Sequence, residues 1–586
     1  MVILKALFFI LFISPAFAGE KLYALSLTEK VKYNKDFKHF DYVNPEAPSG
    51  GEIVIGGVGS FDNLNSNILL GSAPDGLGLT TDSLLVGSLD ELSTAYVSLA
   101  EYFEIDKKNS QVVFKIKEQA KWHDGSSITN QDLLFSYNIL KEEGHPYYKI
   151  ALAEVLKAKT LEGNKISYEL KDINNLDLIL QIGSLPVISK EYYSKNKFNE
   201  ITLTAPLASG PYKIKEVKAG KYIIYERFSN YWGKNLNINR GKYNFDTIKY
   251  IYYRDANIAI QGLKAAEYDL RFENIAKNWA NSYDKEFLET QNFIKKKISH
   301  QIPTGMQCFV MNLRNDKFQN IKVREALNLA FDFEWSNINL FHSAYTRTES
   351  FFSNSPYQAE GELKNSEITY LQKHNDSIDD YLTPYTPSYT DGSGNNRRNL
   401  IKAKNLLNEA GWKIEDFKLV NEQGEEFKIE FLITSPSFQR VILPYTKNLK
   451  KLGINAIIRM ADYSNYQKSL ENFDFDITVN VYPGIKIPGN EQYNLWHSKY
   501  ADVAGSRNLA GIKNPLVDQI VEDIANAKSY QEKAYYAKLL DRVLRNNIYV
   551  IPHWNITAYR VVFKDKFAMP ENIPPYGLDI SSWWGK

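Results

Sequence analysis

The chain is 586 residues long, 44% apolar and 24% charged, with a formal net charge of +1. Charges of both signs are interspersed, so the basic footprint of a nucleic-acid binder is missing, and a single cysteine, Cys308, excludes an internal disulfide. A chain of this length buries roughly 75% or more of its unfolded surface and divides into two or three domains.

At the N-terminus, Lys5 precedes an apolar run over 6–13, and Ala16, Phe17 and Ala18 supply the small-residue site of a signal peptidase. A run this short cannot span a bilayer, which takes ~20 residues, so 1–18 reads as a cleaved signal peptide. Cleavage removes one lysine and no acid, leaving a mature chain of net charge 0 that starts near Gly19. No cysteine lies there to carry a lipid anchor, so export without one is expected.

Residues 21–38 are polar with little periodicity and read as an N-terminal arm. A turn at 48–51 leads into a first strand over 52–56, and 112–116 alternates as a half-buried strand. Thr129, with Asp132 three places on, opens a helix whose apolar stripe is Leu133, Leu134, Tyr137 and Leu140. Next come a strand over 248–253, a helix over 258–266 and a strand over 268–272, which together make a βαβ unit. A helix is predicted over 323–331, loop over 381–398, and a helix over 400–410 with Gly411 as its stop. The pattern then lengthens: strand 427–433, helix 438–452 stopped by Gly453, strand 454–459, a short helix near 466–470 and strand 475–481. This alternation predicts an α/β fold with largely parallel sheets. Ligands of such sheets sit beyond the carboxyl ends of the strands, which points to the loops after Phe272 and Val481.

Motifs for catalysis are absent. There is no G-x-S-x-G, H-E-x-x-H, phosphate-binding loop or dinucleotide fingerprint, and the eight histidines show no metal-ligand spacing. S-x-x-K occurs at Ser194–Lys197 and Ser282–Lys285 without the companion elements that a penicillin-binding protein needs. Cys308 lies in an apolar strand and reads as core. No catalytic residue, metal or cofactor is expected. The 39 tyrosines, each with an apolar face and a polar tip, suit an adaptable binding surface.

Trp122, His123, Asp124 and Gly125 before the helix at Thr129, Ser209 to Tyr212, and 309–314 followed by 323–327 resemble the extracellular solute-binding proteins of the peptide/nickel transporter family. Segments 39–45, 61–65, 252–255, 273–279, 344–348, 488–492 and 505–511 are similar, in order, to its YejA-like branch, associated with oligopeptide and microcin C uptake. The resemblance implies a two-lobed periplasmic-binding-protein clamshell with an extra subdomain inserted in lobe one. Lobe one would cover 19–304, with the subdomain at about 60–205. Lobe two would cover 305–546, and 547–586 would return to lobe one. It further implies a periplasmic monomer that encloses a peptide ligand between its lobes and hands it to an inner-membrane ABC permease. Another small solute (nickel, haem or an oligosaccharide) is the alternative, and a hydrolase a more distant one.

In one place the chain departs from its relatives. Dipeptide- and oligopeptide-binding members carry an Asp before the Pro of the loop corresponding to 482–490, where it pairs with the peptide amine. Here no acid precedes Pro488, and Lys486 has the opposite charge. Positions after strand ends, together with the resemblance, select Phe61, Asn63, Asn274, Trp279, Tyr345, Arg347, Tyr482 and Asn490 as ligand-binding candidates. Arg347 offers a bidentate partner for a peptide carboxylate. Trp122, His123 and Asp124 read as a structural turn.

Overall fold

The computed structural model describes residues 19–374 and 378–586, so the expected signal peptide lies outside it. A first sheet has seven strands in the order Phe293–Ser299, Ala558–Lys564, Leu270–Phe272, Glu52–Val58, Thr247–Tyr253, Tyr222–Arg227 and Tyr212–Lys218. Glu52–Val58 runs parallel to both of its neighbours, so it separates the two strands of the predicted βαβ unit. The helix joining those strands is Ala256–Lys264. Its N-cap is Asp255, whose carboxylate accepts the amides of Asn257 (2.9 Å) and Ile258 (3.0 Å). The flanking pairs in this sheet are antiparallel. The sheet is therefore mixed, with a parallel centre, rather than largely parallel: Tyr212–Lys218 and Tyr222–Arg227 form an antiparallel hairpin at one edge, and at the other the C-terminal return inserts Ala558–Lys564 antiparallel between Leu270–Phe272 and Phe293–Ser299.

The second sheet has the order Asn455–Met460, Lys428–Ile433, Ile477–Tyr482, Met306–Met311 and Val550–Pro552. Its first three strands are parallel, joined by the helices Pro436–Lys451 and Tyr463–Glu471; Met306–Met311 runs antiparallel to them, and Val550–Pro552, antiparallel to Met306–Met311, runs in their direction again. Gly453, just past the longer helix, has φ +79°, the left-handed conformation a helix stop requires. Cys308, Phe309, Phe431, Ile442 and Leu544 lie in the core of this lobe. A separate four-stranded antiparallel sheet, Ala100–Asp106, Gln111–Ile116, Lys165–Leu170 and Val155–Leu161, packs on the helix Asn130–Glu143. That helix buries Leu133, Tyr137 and Leu140, and the Asp132 carboxylate accepts the amide of Thr129 at 2.9 Å, so its N-terminus is capped.

The chain crosses between the two large sheets twice. It goes out through 300–305, between Phe293–Ser299 and Met306–Met311, and returns through 553–557, between Val550–Pro552 and Ala558–Lys564. Val550–Pro552 still pairs with Met306–Met311, so the return comes after the expected boundary at 546. The two crossings lie side by side, and the His300 amide donates to the Thr557 carbonyl at 2.9 Å. Two adjacent crossings of this kind are the place where a hinge between lobes would absorb backbone rotation.

Candidate ligand cavity between the lobes

A cavity of about 1230 Å³ opens beside the hinge, between the N-terminal arm and loops of the second lobe. This exceeds the ~300–1,000 Å³ of ordinary small-molecule pockets, leaving room for an extended ligand. One wall is the N-terminal arm, through Thr28, Lys30, Val31 and Lys32, with Asp90 and Glu91 beside it. The hinge supplies Gln301, Asn555 and Thr557. The far wall comes from the second lobe, through Arg347, Glu349, Asn354, Ser355, Gln358 and Tyr530. The lining is dominated by neutral hydrogen-bonding groups, which suit a ligand with regularly repeated donors and acceptors. At the rim, Glu29 Oε1 accepts the amide of Tyr530 at 3.3 Å, a direct bond between the lobes.

The charges on the arm wall are largely satisfied. Lys32 lies 2.8 Å from Asp41 and 2.5 Å from Asp90, and the Tyr33 hydroxyl also bonds Asp90. Glu91 accepts the Lys32 amide at 2.9 Å and the Tyr96 hydroxyl at 2.6 Å. On the far wall Arg347 is only 3% exposed. Its Nη1 donates to the Ser388 carbonyl at 2.8 Å, while Nε and Nη2 meet no acceptor among the described residues. Burial draws its pKa below the ordinary arginine value, opposed first by the field of Glu334. The short strand Thr346–Arg347 pairs with Trp554–Asn555, which fixes this side chain to the returning hinge segment.

Of the eight candidates named from the sequence, Arg347 alone is in this cavity lining. Phe61 is 2% exposed and packs in the first lobe's core against Tyr252, with ring centroids 5.3 Å apart. Asn63 is wholly buried: its amide nitrogen donates to the Leu70 carbonyl at 2.7 Å, and its oxygen accepts the amides of Asn65 (3.1 Å) and Thr202 (3.2 Å). Asn63 therefore holds its own loop together, with no surface left for a ligand. Tyr482 is 2% exposed, wedged between Phe351 and Trp496. The strand carrying it does end at the hinge, but its last side chain points into the core, because alternation puts the exposed face at Val481.

The remaining candidates lie nearer solvent. Asn274 is exposed, and its carbonyl accepts the half-buried Tyr345 hydroxyl at 3.5 Å, a second contact between the lobes; the Arg560 guanidinium lies 5.0 Å from the Tyr345 ring. Trp279 is half-buried against Tyr283, with the Lys295 ammonium 4.7 Å from its ring. Asn490 is exposed and makes no side-chain cap on the helix Glu491–Trp496 that follows it. The arm and the hinge polar groups escaped the sequence reading, since an aperiodic polar stretch such as 21–38 carries no signal of what it faces.

Comparison with known proteins agrees with this architecture. Residues 94–503 match the family model of the bacterial extracellular solute-binding proteins, family 5. The chain is 36% identical over 573 residues to a probable peptide-binding protein YejA of Agrobacterium fabrum, covering 96% of this chain and 93% of that one. It is 32% identical over 585 residues to the peptidoglycan-binding protein YepA of the same organism, covering 97% and 95%. The solved structure of the oligopeptide-binding protein AppA of Bacillus subtilis, in complex with a nonapeptide, superposes with a TM-score of 0.64 at 20% identity, over 92% of this chain and all of that one. By its two lobes joined through paired crossings, and by this match over most of its length, the chain belongs to the bacterial extracellular solute-binding proteins of family 5.

Proposed function

We propose that this protein is the exported peptide-capturing component of an ABC import system, acting as a monomer in the periplasm and delivering its ligand to an inner-membrane permease. The observation that carries this reading is one large cavity whose walls come from both lobes and both hinge segments. Neither lobe encloses it alone, so a ligand touching both walls favours the closed arrangement. The neutral polar lining supports hydrogen bonding to a peptide backbone, which gives sequence-tolerant affinity. The names of the Agrobacterium YejA and of AppA point the same way.

The test uses the mature protein with and without a saturating mixture of short peptides, in small-angle scattering and thermal melts. The expected result is a smaller radius of gyration together with a higher melting temperature, because a ligand that binds only the native state stabilises it by RT ln(1 + [L]/Kd). No change in either would sink the reading. The size of the cavity and the relative named as peptidoglycan-binding favour a second reading, in which the peptide is attached to a sugar. Competition between plain peptides and a peptidoglycan digest separates the two.

A further inference from the structure

We propose that Gly19, freed by removal of the signal peptide, becomes the first residue of the mature protein, and that its ammonium closes an ion pair with the buried carboxylate of Glu104. This rests on the reading of the protein as exported, and adds what processing does to the fold. Glu104 sits on Ala100–Asp106, the edge strand of the four-stranded sheet, and is only 3% exposed. Its Oε2 is shut off from solvent and meets no hydrogen-bond donor among the described residues. A buried carboxylate without a partner is costly, so this one calls for a cation. Two lysines of the same surface are engaged elsewhere: Lys21 and Lys165 stand over the Tyr102 ring, 4.4 and 5.8 Å from its centre.

The N-terminal arm brings Gly19 to this carboxylate. Leu22 exchanges both backbone hydrogen bonds with Phe103, at 2.8 and 3.0 Å, and the Val97 amide donates to the Tyr23 carbonyl at 3.0 Å. The arm is thus pinned along the sheet edge just after Gly19. Gly19 itself lies against Glu104: a Cβ placed on it would be 3.1 Å from Glu104 Cβ and 3.8 Å from the carboxylate carbon. A side chain at 19 would press on the glutamate, so glycine is the residue that permits the approach. The Gly19 nitrogen is bonded to the same α-carbon, about 2.5 Å from that Cβ position, which puts it within reach of the carboxylate oxygens. While Ala18 is attached, this nitrogen is a neutral amide. Hydrolysis of the Ala18–Gly19 bond by a signal peptidase consumes one water, leaves a carboxylate on Ala18 and gives Gly19 an amine that is mostly protonated at pH 7. Processing therefore turns an unpaired buried charge into a pair, and the mature fold is more stable than the same fold with its leader attached.

The full chain is expressed in a secreting bacterium, and the intact mass of the product is measured. A protein beginning at Gly19 is expected. A product that keeps its leader overturns the export reading and this pair together, and one that begins at another residue overturns the pair alone. The mature protein with a free Gly19 amine is then compared in urea unfolding with the same protein acetylated at that amine. Both are made with Glu104 and with Glu104→Gln, which completes a double-mutant cycle. Acetylation should raise the unfolding equilibrium constant about tenfold or more in the native sequence, and less than about twofold in Glu104→Gln. Equal stability of the free and acetylated native proteins overturns the pair, whether or not Glu104→Gln folds, and leaves the export reading standing. So does an equal loss on acetylation in both sequences, which would mean that the amine acts without Glu104.

Discussion

Two buried side chains show how single residues divide the work between fold and site. Asn63 binds four backbone groups of its own lobe, so Asn63→Ala should cost about 2–4 kcal/mol of stability by leaving those groups unpaired, measured by urea unfolding. A stable variant with lost ligand affinity would instead place Asn63 in contact with ligand. His553, in the returning hinge segment, is fully buried against Phe309, with ring centroids 4.1 Å apart, and has its pKa drawn down to about 3 by burial and then by Arg347. The folded value lies below the ordinary 6.5, so on acidification the unfolded chain takes up the proton first. The contribution is fully present above about pH 6.5 and is lost progressively as pH falls towards 3. From pH 6.5 to 5 this one group should remove about 2 kcal/mol of stability. His553→Phe should flatten that part of the stability–pH curve, and unchanged curves in the two proteins would contradict the assignment.

At the scale of elements, the hinge is held against the second lobe by close backbone contact. A Cβ at Gly484 would lie 1.8 Å from the Pro303 carbonyl oxygen, and one at Gly305, where φ is +61°, would lie 2.2 Å from that of Tyr482. Neither position can accept a side chain unless the outgoing segment and loop 483–490 move apart. Gly484→Ala should therefore lower the melting temperature and loosen the hinge, by roughly 2 kcal/mol or more. Hydrogen exchange at 300–305 reads the loosening directly, and wild-type protection there would show that the loop gives way instead. The equivalent change at Gly424, where a Cβ meets nothing within 4 Å although φ is positive, is the milder control.

For the whole molecule, closure over the cavity is the property to test, and Glu29 offers a handle. It sits in the left-handed region, φ 62°, which a residue with a Cβ adopts only at a cost, and its carboxylate meets the amide of the first residue in the helix Tyr530–Asn546 of the opposite lobe. A carboxylate at a helix N-terminus is stabilised by the unpaired amides and by the helix dipole. Glu29→Ala should cost about 1 kcal/mol of the closed arrangement, roughly a fivefold faster ligand release in stopped-flow measurements, with little effect on the unliganded melting temperature. Unaltered release would mean that the rim contact does not contribute to closure.

The order of elements was legible along the chain because it rests on local physics. Hydrophobic period, Thr129 with Asp132 as a cap and Gly453 as a stop located helices and strands, and family motifs spread over the chain gave the two-lobed architecture. Strand adjacency was not legible. Glu52–Val58 separates two strands close in sequence, and Ala558–Lys564 inserts beside Leu270–Phe272 across nearly 300 residues, because pairing is decided by which faces can be buried together. The site divided in the same way. Arg347, named from the sequence, is placed in the cavity lining, whereas Phe61, Asn63 and Tyr482 lie at or after strand ends and turn inward, a matter of side-chain direction that residue type does not specify. That Lys30, Asn555 and Gln358, far apart in the chain, share one cavity is a consequence of the two hinge crossings, and only the folded structure brings them together.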